Sequence, residues 1–138
     1  MEECKQALLQ HLNHNKGFIM KLDYSKIAEL FEHLENENLE SFLDSLEDSD
    51  EYLKHLDMLV KAGYVDGVEV KYASCGILYS TNYPRITLDG YEFANIVKDK
   101  KLFPQVVKAI NKAGYVTSIA MIKEFAPYVI KSIVSKLF

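Results

Sequence analysis

"YLKHLDMLVKAGYVDGVEVKYA" (Tyr52–Ala73) changes its hydrophobic period partway along, and that change decides the fold. Up to Lys61 the apolar residues Leu53, Leu56, Leu59 and Val60 recur three or four positions apart, the spacing of one helix face. In "GVEVKYA" apolar and polar residues alternate, placing Val68, Val70 and Tyr72 on one side of a strand. Gly63 stands between the two regimes. Glycine takes the left-handed backbone that stops a helix, and a lysine in the last turn faces the negative end of the dipole. The pentapeptide KAGYV returns at Lys112–Val116, but there it leads into "TSIAMIKE", which opens a helix. The two copies are therefore two helix stops, each with a tyrosine folding back on Leu59 or Ile110, and not a repeat.

Upstream, a first helix is expected over Glu2–His14, with Cys4, Ala7, Leu8 and Leu12 on one stripe and a stop at Gly17. "FIMKL" (Phe18–Leu22) reads as a short strand, and Asp23 as the N-cap of a helix with Ile27, Leu30, Phe31 and Leu34 inward. The spacing recurs at Leu39, Phe42, Leu43 and Leu46, after a break at "ENEN" (Glu35–Asn38). Asp48 and Glu51 are spaced as a capping box for the helix that ends at Lys61.

Downstream, "SCGILYSTNY" (Ser74–Tyr83) reads as a turn-rich loop leading to a second strand at Pro84–Leu88. Thr87 is placed to cap a helix carrying Tyr91, Phe93, Ala94 and Val97. The next helix turns Phe103, Val106, Val107 and Ile110 inward, and tolerates Pro104 only in its first turn. The last opens near Thr117 or Ser118 and carries Ile119, Ile122, Phe125, Val129, Ile133 and Leu137, with a kink or restart expected at Pro127. The order predicts a mainly α chain with a small β-wing (α+β). A winged helix-turn-helix domain spans residues 1–98, and a C-terminal helical extension, 99–138, packs on the same core or on a second subunit.

A chain of 138 residues with 49% hydrophobic and 26% charged residues can bury one core and reads as globular. Cys4 and Cys75 form no CxxC pair, the N-terminus lacks a signal-peptide pattern, and no apolar run approaches a membrane span. A cytoplasmic protein without membrane contact is expected. The net charge of −4 is unevenly spread. Residues 23–57 hold twelve acids against Lys26 and Lys54, whereas residues 98–138 hold eight lysines against Asp99 and Glu124. One reading is solvated helix faces; the other is a bipolar surface with different partners at its two ends.

"YLKHLDMLVKAGYVDG" and "RITLDGYEFANIVKD" together resemble an uncharacterised family of bacterial and prophage winged-helix proteins. His55, Leu59, Ala62 and Gly63 match the family's histidine-led helix and its Ala-Gly stop. Thr87, Gly90 and Phe93 match the pattern after the wing, with Tyr91 and Ala94 where the family has histidine and leucine. The resemblance covers about the last two thirds of the chain. It implies a winged-helix fold in a phage or mobile-element setting, and no assigned activity.

No residue constellation points to catalysis. His11 and His14 do not complete a zinc site with Cys4, Cys75 has no base signalled beside it, and no glycine-rich phosphate loop occurs. His55, between Leu53 and Leu56, reads as a packing residue with a hydrogen bond. No cofactor and no metal are expected. The candidate contacts to nucleic acid or to a partner are Lys54, Lys61, Lys71, Tyr72, Tyr79, Tyr83 and Arg85. The helix that would enter a DNA groove begins with Asp50 and Glu51, and carboxylates facing phosphates forfeit the counterion-release term. The expected function is therefore a non-enzymatic regulator acting through an unidentified protein partner or self-association. The alternative is a DNA-binding transcriptional regulator using the wing and the basic C-terminal helices.

Overall fold

The computed structural model describes residues 22–137. The helix expected over Glu2–His14, with Cys4, His11 and His14, its stop at Gly17 and the strand begun at Phe18 lie outside the described residues, as does Phe138. The described residues are mainly helical, with one two-stranded antiparallel sheet among them, and the chain divides into two compact units between Thr87 and Leu88.

The first unit holds α1 (Tyr24–Glu35), α2 (Leu39–Ser45), α3 (Asp50–Lys61), β1 (Val65–Ala73) and β2 (Gly76–Ile86). Asp23 caps α1, its carboxylate accepting from the Ser25 and Lys26 amides. All four residues of the expected α1 stripe are buried, and α1 packs on α3, on α2 and on β2. The ENEN segment ends α1 by a Schellman turn: Glu37 N–H donates to Leu34 and Asn38 N–H to His33. Glu37 takes the left-handed conformation, at φ +58°, that glycine occupies at the other two stops. At those stops the bonds have the same form. Gly63 and Tyr64 donate to Val60 and Leu59, and Gly114 and Tyr115 to Asn111 and Ile110, with both glycines at positive φ.

Three expectations need correction. The capping box does not form: Ser49 is the N-cap residue of α3, and the Asp48 carboxylate instead accepts from the Asp50 amide. The segment Gly76–Tyr83 is strand and not loop, because it pairs almost throughout with β1. Only Ser74 and Cys75 remain as the turn, and nothing in their composition outweighs the pairing that the alternating β1 offers. Of the two outcomes expected at Pro127, a kink or a restart, the restart does not occur: helix runs unbroken through it.

The hairpin register fixes which side chains share a face. Val68 lies opposite Thr81, Val70 opposite Tyr79 and Tyr72 opposite Ile77, so these six lie on one side. Towards the base of the hairpin the register breaks. Gly67 alone on β1 faces Asn82, Tyr83 and Pro84 on β2, a bulge in which Tyr83 takes φ +52°.

The second unit holds α4 (Leu88–Lys98), α5 (Leu102–Lys112) and α6 (Ile119–Leu137). Pro104 lies in the first turn of α5, where its missing N–H costs no helical bond. The Asp99 carboxylate accepts from the Lys101 and Leu102 amides and closes the start of α5. Ser118 does the same for α6 by accepting from the Met121 amide. Val106 and Ile110 of α5 are buried, as are Ile119, Ile122 and Ala126 of α6, where these two helices pack together.

Candidate interaction surface

The side chains singled out by sequence divide into two sets according to where the hairpin points them. Tyr72 and Tyr79 lie on its helix-facing side. The Tyr72 hydroxyl donates to Asp57 of α3 (3.0 Å), and the Tyr79 hydroxyl donates to Asp44 at the end of α2 (2.7 Å). Thr81, on the same side, bonds Glu40 of α2. These bonds tie both strands to carboxylates on the helices. Tyr83, by contrast, is 85% exposed, and Leu78 on the opposite face of β2 from Tyr79 is 61% exposed.

The cations are all paired. Within residues 22–87 the basic side chains are Lys26, Lys54, Lys61, Lys71 and Arg85. Their partners are Asp23, Glu51, Asp57, Glu69 and Asp66, at 2.5–3.6 Å. Exposed pairs of this kind add little to stability. They matter here because each leaves a dipole where a free cation would attract phosphate. The fourteen acids of residues 22–87, set against these five bases, give that stretch a formal charge of −9.

Sequence reasoning missed the acceptors. Asp57 is 93% removed from solvent, being 7% exposed, and takes both Lys61 Nζ (2.8 Å) and the Tyr72 hydroxyl. The i, i+4 spacing of Asp57 and Lys61 was the one available signal for half of that site. The pairing of Asp44 with Tyr79 had none, being 35 residues apart.

His55 is buried, at 1% exposure. Its Nε2 accepts the Asp23 amide (2.9 Å), so Nδ1 carries the hydrogen and donates to the Glu51 carbonyl (2.6 Å). The ring joins the N-cap of α1 to α3. It is a structural clamp between the two helices. Among the described residues no group of three His, Cys, Asp or Glu side chains is arranged to hold a metal ion, and no helix is long and apolar enough to cross a membrane. Cys75 is exposed at the hairpin turn beside Ser74.

Four half-buried tyrosines make the first unit sensitive to alkali. Burial, then the charge and hydrogen bond of a neighbouring carboxylate, raises the hydroxyl of Tyr72. Burial, then the bond to Asp44, raises that of Tyr79. Burial pushes Tyr24 up to about 12, and the bond to Glu29 pushes Tyr52 to about 12. A folded value above the unfolded one stabilises the fold at pH below about 10, and that contribution is lost as pH rises through the folded values. Stability should be flat from neutrality to about pH 9 and then fall steeply. The check is tyrosinate absorbance recorded together with circular dichroism. Tyrosines that ionise around their ordinary value while the fold persists would contradict it.

Comparison of the chain with protein-family models, with curated proteins and with solved structures finds no match.

Proposed function

We propose that this protein is a non-enzymatic winged-helix regulator of the phage or mobile-element type, acting through protein–protein contacts. The element order α1, α2, α3 and a β-hairpin supports the winged-helix reading, with α2 and α3 as the helix-turn-helix and the hairpin as the wing. The observation that carries the choice of partner is the pairing of Lys54, Lys61, Lys71 and Arg85 with carboxylates of their own unit. α3 begins with exposed Asp50 and Glu51, so its leading turn would meet phosphates with like charge. Tyr83 and Leu78 offer a protein partner apolar area beside polar atoms, the composition of interface cores.

The alternative, a DNA-binding transcriptional regulator, draws on the second unit, where residues 88–138 carry eight lysines against four acids. Titration of the full chain against mixed-sequence duplex DNA at low salt separates the two. Protein-contact function predicts no saturable binding up to about 10 μM protein, within the range where non-specific DNA binders already respond. Binding with a steep salt slope that Lys71→Ala and Arg85→Ala reduce would replace this reading with the alternative.

A further inference from the structure

The α5–α6 hairpin carries two apolar hollows on either side of one lysine ridge. The first, about 650 Å³, lies between the helices on Ala109, Phe125 and Val129. The second, about 730 Å³, lies along α5 on Phe103, Pro104 and Val107. Lys108 and Lys112 line both hollows. They stand one helical turn apart on one face of α5, and both are exposed. No described carboxylate lies within ion-pair distance of either. Glu124 is the one acid lining the first hollow, and none lines the second. Tyr128, at the first hollow, is 72% exposed.

Apolar area bordered by unpaired cations fits an acidic amphipathic surface. The chain carries an acidic surface itself. Residues 22–87 have a formal charge of −9, and Glu32 and Glu47 are exposed on or beside α1 and α2 with no ion pair among the described residues. Residues 88–138 have a formal charge of +4. We propose that the lysine ridge and its hollows receive the acidic unit of a second copy of this chain. Opposite net charges draw the two surfaces together over roughly a Debye length, and burial of Phe125, Tyr128 and Phe103 adds the short-range term. The docking face is distinct from the hairpin surface described above and does not depend on the winged-helix reading.

Sedimentation velocity of the full chain over a concentration series tests this. Reversible association is expected at low salt, weakening as salt is raised from roughly 20 mM to 500 mM. Lys108→Glu with Lys112→Glu should weaken it about tenfold or more. The pair Lys108→Gln and Lys112→Gln, which adds no charge opposed to the α5 dipole, should act in the same direction with the melting curve unchanged. A chain that stays monomeric at about 100 μM in low salt overturns the proposal, as does association indifferent to salt or to both double variants. Binding of poly-glutamate by a chain that stays monomeric would overturn it in favour of a foreign acidic occupant. Each of these failures leaves the hairpin reading intact, because that reading is judged by the duplex titration.

Discussion

Gly67→Ala is expected to lower stability by about 3 kcal/mol or more, a drop in melting temperature of roughly 10 °C. Two costs combine. Gly67 stands at φ +77°, where a Cβ is strained whatever the space around it. A Cβ there would also lie 2.5 Å from the carbonyl oxygens of both Asn82 and Tyr83. Both obstacles are backbone, so no rotamer change relieves them. Relief requires opening the bulge, which would release Tyr83 from its left-handed conformation and loosen the pairing of Val65 with Ile86 and Asp66 with Arg85. Gly63→Ala is the control. Gly63 has a similar φ, +82°, but nothing lies within 4 Å of its added Cβ. It should cost only the conformational term, on the order of 1 kcal/mol. Urea or thermal unfolding of both variants decides the matter. Equal losses would mean that the close approach across the hairpin contributes nothing.

Replacing His55 should be the second most damaging change. His55→Ala removes a fully buried ring and leaves the Asp23 amide without its acceptor, a combined loss of about 2–4 kcal/mol. His55→Leu separates the two contributions. Leucine restores most of the volume but cannot accept from Asp23, so about 1–3 kcal/mol should remain lost. Hydrogen exchange at the Asp23 amide should quicken in both variants. A leucine variant as stable as the parent would reduce His55 to a packing residue. The position is consequential because Asp23 also caps α1, its carboxylate held below the usual range first by the Ser25 hydroxyl. Losing the clamp frees both the cap and the start of the helix that carries Ile27, Leu30 and Phe31.

The local instructions were legible because they are written in neighbouring residues. The α1 stripe, the Asp23 cap, the glycine stops at 63 and 114 and Pro104 in a first turn depend on spacings of five residues or fewer. Chain chemistry decides them before any tertiary contact forms. The ENEN break was equally legible, although its residue in the left-handed position proved to be Glu37 and not a glycine.

What only the tertiary structure decided lies across longer separations. The stretch Gly76–Tyr83 of the second strand reads as loop because Gly76, Ser80 and Asn82 are turn formers, and pairing with β1 makes strand the better state. The same holds for the candidate contacts. Seven residues were named by type, yet type cannot say that Tyr72 and Tyr79 turn inward to Asp57 and Asp44 while Tyr83 stands in solvent. Nor could composition show that Lys54, Lys61, Lys71 and Arg85 are each neutralised by an acid of their own unit. The sequence by itself determined the helices, their ends and the imbalance of charge between the two parts of the chain, because periodicity and composition are local sums. The fold decided which of those charges and rings remain available to a partner, because availability depends on neighbours that only folding brings within a few ångströms.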